Sequence, residues 1–227
     1  MTTSINWILF PSAEDVALDT ARRIQSTAAS CIKEHGHFKI VLAGGTTPAA
    51  SYKHLIDTDT DWSRWQIFYG DERCLPVDHP DRNSVMASRV WLDHVNIPVA
   101  NIHSIPAELG ATQAANQYET VIKPMLPFDM TLLGIGEDGH TASLFPGHSH
   151  PEGKWVVPVT NAPKPPSDRV SLSFEALANS NSVIVLVTGA GKRDAVVKWQ
   201  AGADIPIQQL SSQIAVDVLI DQDAIPG

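Results

Sequence analysis

Short apolar runs alternate along the chain with stretches whose apolar residues recur every three or four positions, the signatures of strands and of helices buried on one face. Ile5 to Phe10 alternates as a short first strand. Ser12 and Asp15 stand at capping-box spacing ahead of a helix, with Asp in place of Glu, and Glu14 and Asp15 suit the positive end of its dipole. Val16, Ala17, Ala21, Ile24, Ala28, Cys31 and Ile32 form its inner face, with Cys31 as a packing residue, and Gly36 closes it. Phe38 to Ala43 and Trp65 to Tyr69 read as strands, the first leading into a helix that has Pro48 in its first turn and continues through Leu55. A helix capped by Asn83 or Ser84 extends through His94, residues 101–105 form a short strand, and Ala111 to Leu126 is a helix ended by Pro124 and Pro127.

Met130 to Ile135 is apolar enough for a strand buried on both faces. Trp155 to Val159, the alternation Val170, Leu172, Phe174, the run Ser182 to Thr188 and the segment Ile214 to Ile220 complete the strands, and a further helix runs from Lys192 through Trp199. Strand and helix thus alternate nearly throughout. The expected fold class is α/β, a mostly parallel sheet with helices on both faces in a single domain over residues 1–227, with antiparallel strands near residues 155–174.

With 227 residues, 43% of them hydrophobic, the chain can bury one substantial core. It has no run of about 18 apolar residues and no basic patch followed by an apolar stretch at its start. A soluble, cytoplasmic protein is expected. The formal charge of -9 argues against nucleic acid or an anionic membrane as partner. Cys31 and Cys74 are too few for a disulfide framework and lack both CxxC spacing and a paired histidine motif for zinc. The oligomeric state leaves no mark on the sequence, and a monomer is expected.

The chemistry gathers where strands end. Phe38 to Ala43 runs into Gly44-Gly45-Thr46-Thr47-Pro48, a turn whose glycines let the backbone approach a ligand and whose amides face an anion at a helix start. Trp65 to Tyr69 ends at Gly70-Asp71-Glu72-Arg73, with Asp71 and Arg73 on one side of the chain and Cys74 a neighbour rather than a nucleophile. Met130 to Ile135 breaks at Gly134 and Gly136 into a turn that delivers Glu137, Asp138 and His140, and His140 reads as the working residue. Gly134, Gly136 and Gly139 spell GxGxxG, but Pro146 arrives too soon for the long helix a dinucleotide requires. No GxSxG elbow and no Walker loop occurs. His148 and His150, two apart in a loop without a third ligand, read as solvent-exposed histidines, and no metal site is expected.

The blocks Gly44-Gly45-Thr46-Thr47-Pro48, Gly70-Asp71-Glu72-Arg73, Gly134 through Gly147 and the Arg169 segment, in that order, resemble the 6-phosphogluconolactonases. The resemblance covers essentially the whole chain. It implies a modified Rossmann-like fold shared with glucosamine-6-phosphate deaminases, and hydrolysis of a small phosphorylated sugar lactone, 6-phospho-D-glucono-1,5-lactone, without metal or cofactor. The proposed base is His140, taking a proton from the attacking water. Asp138 either orients the imidazole or holds a sugar hydroxyl; Asp71 either bonds a sugar hydroxyl or assists the water. Arg73, or amides of the turn around Gly136 and Gly139, would face the oxyanion. Phosphate would fall to Gly44, Gly45, Thr46, Arg73, Arg169 and Lys192. Two alternatives stand beside this: a deaminase-like sugar-phosphate isomerase and a phosphosugar-binding module without catalysis. Against the first, Phe145 occupies the place where deaminases resembling this fold carry a glutamate.

Overall fold

The computed structural model describes residues 3–149 and 151–226. In chain order the elements are β1 (Ile5–Phe10), α1 (Ala13–His35), β2 (Phe38–Leu42), α2 (Thr46–Lys53), β3 (Trp65–Tyr69), β4 (Asp71–Arg73), α3 (Asn83–Val90), β5 (Ile102–His103), α4 (Ala111–Ile122) and β6 (Met130–Gly134). They continue with β7 (Val156–Val159), β8 (Arg169–Leu172), α5 (Phe174–Ala178), β9 (Val183–Val187), α6 (Arg193–Gln200), α7 (Pro206–Ser211) and β10 (Val216–Asp221). Seven strands form one sheet in the order β1-β10-β9-β6-β2-β3-β5, and every pairing in it is parallel. This is the mostly parallel arrangement that the alternating pattern predicts, and it agrees with the Rossmann-like fold that the resemblance implies. β7 and β8 pair antiparallel where antiparallel strands are expected, and β4, from a distant part of the chain, joins them in a second, three-stranded sheet. No helix among the described residues is long and apolar enough to cross a membrane.

The central strands are buried on both faces, as their unbroken apolar runs require: Ile40, Val41, Leu132, Leu133, Val185 and Val187 are all within 1% of full burial. α1 begins as its sequence dictates, with Ser12 Oγ accepting from the Asp15 amide at 3.2 Å and donating to the Asp15 carboxylate at 2.6 Å. It ends at Gly36, whose φ of 84° admits the left-handed turn a side chain resists.

From β2 the chain moves outward to β3 and β5, and from β6 it moves the other way to β9 and β10. β2 and β6 are neighbours, so the loops leaving their carboxyl ends diverge and open a crevice between them, the topological switch point of a parallel sheet. Two buried tyrosines secure the strand ends beside it. Tyr52 of α2 accepts from the Ala43 amide at 3.0 Å and donates to the Ala43 carbonyl at 2.9 Å; Tyr118 of α4 accepts from the Tyr69 amide at 2.9 Å. These hydroxyls serve backbone groups that have run out of ladder partners.

Several expectations need correction. Asp71 to Arg73, expected as an extended stretch just past the end of a strand, form a strand of their own: the Gly70 amide still pairs with Leu42 O, its carbonyl accepts from the Leu172 amide, and residues 71–73 continue as β4 against β8. The chain therefore passes from one sheet to the other at Gly70. The helix expected through His94 stops at Val90, because fully buried Trp91 turns into a cluster with Tyr52, Trp62 and Trp65, and a 3-10 turn at Leu92–His94 follows. Its N-cap is Arg82, not Asn83 or Ser84. Phe174 begins α5, capped by Ser173, instead of extending an alternating strand. Lys192 closes a 3-10 turn at Ala190–Lys192, and the helix proper starts at Arg193. α7, with Pro206 in its first turn, adds a helix that the apolar pattern does not predict, although a proline at that position marks a helix start.

Removing the Tyr118 hydroxyl with Tyr118→Phe leaves the Tyr69 amide buried without a partner, and is expected to lower unfolding free energy by about 1–3 kcal/mol. Urea unfolding with an unchanged slope checks this; an unshifted midpoint would show that the bond contributes nothing.

Candidate active site

The crevice beyond β2 and β6 is a cleft of about 310 Å³. Its most constrained part is the turn after β6. Gly136 N–H donates to His140 O at 2.8 Å and Gly139 N–H donates back to Gly136 O at 3.0 Å, closing a tight loop that folds His140 over its own start. A side chain at Gly136 would overlap the His140 ring and press on Asp138 Oδ1. Glycine is therefore required here for space. No helix follows: Gly139 and Ala142 both take positive φ, and Thr141 bridges to Leu144, so the GxGxxG spacing builds a turn and not a dinucleotide site.

Within this loop the Asp138 carboxylate lies 2.5 Å from His140 Nδ1 and also accepts the His140 amide at 3.2 Å. The imidazole side chain is 19% exposed, lies against Phe145 with ring centres 4.6 Å apart, and lines the cleft. Burial holds its pKa below the ordinary imidazole value although the Asp138 charge pulls the other way. For Asp138, burial acts upward, but the charge and hydrogen bonds of His140 outweigh it and hold the carboxyl below its usual range. The outcome is a neutral imidazole at pH 7 whose Nδ1–H is given to a carboxylate, leaving Nε2 as the basic nitrogen.

Asp71, at the start of β4, forms a second centre. Its Oδ1 accepts from Asn83 Nδ2 at 2.9 Å and its Oδ2 from Ser143 Oγ at 2.5 Å, so one buried carboxylate ties β4 to α3 and to the segment after His140. Beside it Glu72, fully buried, accepts from the amides of Arg73, Asn83 and Ser84 and from Ser84 Oγ. Glu72 thereby caps α3 from another strand, which explains why α3 has no cap from its own N-terminal residue. Arg82 Nε faces Glu72 at 3.5 Å and keeps that carboxylate from being an unpaired buried charge.

Cations line the opposite side. Arg73 and Arg169 are directly paired across β4 and β8, two like charges face to face. Neither makes an ion pair among the described residues, and Arg73 Nε is buried without a hydrogen-bond partner. Arg169, 6% exposed, donates to the carbonyls of Lys164, Pro165 and Pro166 and lies 5.6 Å over the Phe145 ring. Burial lowers its pKa, and the nearby Arg73 charge adds to that against the pull of Asp71. Lys192 is also held low by burial, and Lys164 reaches Glu137 at 3.5 Å. Such a group of partly desolvated cations is costly alone and is relieved by a bound anion.

The same architecture occurs in known proteins. Residues 11–218 match the family described as "Glucosamine-6-phosphate isomerases/6-phosphogluconolactonase". The chain belongs to this family. A "Probable 6-phosphogluconolactonase 4, chloroplastic" of Oryza sativa subsp. indica is 36% identical over 229 residues, which cover 92% of this chain and 70% of that one. A "Probable 6-phosphogluconolactonase 2" of Arabidopsis thaliana is 33% identical, with 95% and 93% covered. Among solved structures, the 6-phosphogluconolactonase of Thermotoga maritima superposes with a TM-score of 0.89 at 25% identity, covering 96% of this chain and 100% of the other.

Of the residues predicted from sequence, Gly44, Gly45, Asp71, Arg73, His140, Arg169 and Lys192 line the cleft. Asp138 stands behind His140, not in the lining, and Thr46 opens α2 on the exposed side of its turn. Asn83, Ser143 and Lys164 join the site without a signal in the sequence; only the order of the chain in space brings them here. Gly44 approaches Asn83 so closely that any side chain there would overlap the Asn83 amide. Cys74 stays a bystander, its thiol pushed up to about 11 by burial and by Asp168. His148 is half-buried with its ring 5.7 Å from Phe145, not solvent-exposed as expected, and His150 lies outside the described residues.

Gly136→Ala is expected to leave the fold standing and to cut turnover at least on the order of 100-fold by pushing His140 off Asp138. A steady-state assay alongside a melting curve checks it; near-normal turnover would show that the loop tolerates a displaced ring.

Proposed function

We propose that this chain hydrolyses 6-phospho-D-glucono-1,5-lactone to 6-phospho-D-gluconate, with His140 as the general base. The observation that carries this reading is a buried, carboxylate-oriented imidazole facing the same cleft as Arg73, Arg169 and Lys192, none of which makes an ion pair among the described residues. The Phe145 ring lies beside both the imidazole, 4.6 Å between ring centres, and the Arg169 guanidinium, 5.6 Å away, so one ring neighbours the base and a phosphate-binding cation.

In this reading Arg73, Arg169 and Lys192 hold the phosphate, joined by amides of Gly45 and Thr46 at the start of α2. His140 Nε2 removes a proton from water as its oxygen bonds to C1, and negative charge moves onto the carbonyl oxygen. As that charge returns, the C1–O5 bond breaks and the imidazolium gives its proton to the departing ring oxygen. The new carboxyl group then loses its own proton to solvent, and His140 is neutral again. Asp138 fixes the tautomer and balances the transient positive charge. Asp71, its oxygens taken by Asn83 and Ser143, suits holding the cleft in shape better than assisting the water.

The deaminase alternative needs a carboxylate that passes protons with the histidine. At that place the ring of Phe145, 2% exposed, packs on His140, and among the described residues the imidazole's hydrogen-bond partner is Asp138 alone. A phenyl ring relays no proton. A binding-only module would retain phosphosugar affinity yet open the lactone no faster than buffer.

An assay that generates the lactone in place from glucose 6-phosphate and follows the second oxidation separates these readings. His140→Ala is expected to remove turnover above the spontaneous background while 6-phosphogluconate still binds; a variant with normal turnover would dismiss the base. Arg169→Ala is expected to raise KM roughly 10- to 100-fold, the loss of a charged contact to phosphate, with a smaller change in kcat. In NMR titration the His140 ring is expected to titrate below 6.5, the ordinary value, because burial disfavours its cation. Asp138→Asn removes the opposing charge, so the midpoint moves lower still, and kcat falls on the order of 10²- to 10⁴-fold as the tautomer is lost. A midpoint above the ordinary value in the parent chain would overturn the assignment of a neutral base.

A further inference from the structure

At the other end of β6, away from the cleft, a second chemical cluster forms. Cys31 and His35 lie four residues apart in the final turns of α1, the spacing that sets two side chains on one helix face. Asp129, immediately before β6 and 3% exposed, meets them from the sheet. One ligand atom from each of the three lies within 4.8 Å of the others, and His35 Nε2 is 3.4 Å from Asp129 Oδ1. Tetrahedral zinc with nitrogen and oxygen at about 2.0–2.1 Å and sulfur at about 2.3 Å separates its ligand atoms by roughly 3.3–3.7 Å. The imidazole–carboxylate edge already has that length, and the widest edge closes with a movement of roughly an ångström.

We propose that Cys31, His35 and Asp129 bind one zinc-type divalent metal ion that fastens the end of α1 to the foot of the sheet. One thiolate, one imidazole and one carboxylate form the borderline-soft set that suits zinc, and the fourth position is left to solvent. The carboxylate is already oriented by its neighbours, since Asp129 Oδ2 accepts from the Lys39 amide at 2.8 Å and Asn181 Nδ2 lies 3.4 Å from Oδ1. Such outer contacts orient a metal-binding carboxylate. His35, at the exposed edge with its side chain 38% accessible, provides the path of entry. On binding, the sulfur–metal bond forms as the Cys31 thiol proton leaves to buffer, with no change of oxidation state. A reactive-thiol role fits poorly, since burial and Asp129 push the Cys31 thiol up to about 11. The site is separate from the lactone chemistry: β6 spans roughly 17 Å between Asp129 and the catalytic turn.

The test uses the full chain, treated with chelator and titrated with cobalt(II) and then zinc. One equivalent of cobalt is expected to bind with a sulfur-to-metal charge-transfer band in the near ultraviolet and with visible bands of tetrahedral intensity, and zinc is expected to displace it. Cys31→Ser should abolish the charge-transfer band, Asp129→Asn should weaken binding at least about 10-fold, and His140→Ala should leave both unchanged. Zinc should raise the melting temperature of the parent chain and not that of Cys31→Ser. Cobalt bound without a thiolate band, a band that survives Cys31→Ser, or binding lost in His140→Ala would each overturn the site. Should Asp129→Asn fail to fold, the half-buried Cys31→Ser variant decides the question alone.

Discussion

The bond between Asp138 and His140 is the contact on which the cleft depends, because it sets two opposing pulls on one ring. Burial removes water from the imidazole and drives it toward the neutral form; the carboxylate 2.5 Å away pulls toward the charged form. Burial wins, so the ring rests neutral, and in the proposed reaction the carboxylate is close enough to stabilise the cation once a proton arrives. Neither effect alone would serve. A ring without Asp138 would be neutral but free to turn, and one less buried would spend more of its time protonated near neutral pH. The loop enforces the balance through a backbone too tightly folded to admit a side chain at Gly136.

The rest of the cleft is arranged so that this ring does not have to support its own surroundings. Asp71 and Glu72 are adjacent carboxylates on a three-residue strand, and both are committed to structure: one joins Asn83 to Ser143, the other caps α3. Because successive strand residues point to opposite faces, Glu72 turns inward beneath α3 while Asp71 and Arg73 face the cleft. Arg73 then meets Arg169 in register, two like charges placed directly opposite each other. Under the proposed function, affinity for phosphate comes partly from relieving a repulsion that the fold itself imposes.

What the sequence discloses of all this is whatever is local. Gly44 to Pro48, the turn Gly136 to His140 and the strand preceding each fall within a few residues, so their chemistry can be read directly from spacing. β4 could not be read, since Asp71, Glu72 and Arg73 carry no apolar alternation and become a strand only because β8 supplies the ladder. Asn83 looks like a cap for the same reason that it serves Asp71: a short amide side chain beside a helix start can reach either. Lys164 sits in a Pro-rich loop that gives no periodic signal, and its position in the cleft is set by Arg169 gripping three loop carbonyls. Cys31 reads as packing because its partners are divided, His35 one helical turn away and Asp129 in a distant part of the chain.

A parallel sheet separates its two ends by construction, and this chain uses the separation. Every strand of the large sheet runs the same way, so the carboxyl ends collect the turns that carry His140, Gly44 and Lys192, and the amino ends collect the closures. At the amino end Asp129 extends the pairing of β2 and β6 past its last regular rung: its amide donates to Lys39 O at 3.0 Å while its Oδ2 takes back the Lys39 amide at 2.8 Å. One carboxylate oxygen is thereby committed to the sheet. The other remains turned toward His35, with Cys31 on the same helix face. A carboxylate needed only to finish the ladder requires one oxygen and no thiol beside it. The convergence of sulfur and imidazole on this carboxylate is what the ladder leaves unexplained, and a metal ion accounts for all three ligands at once without drawing on any group in the cleft.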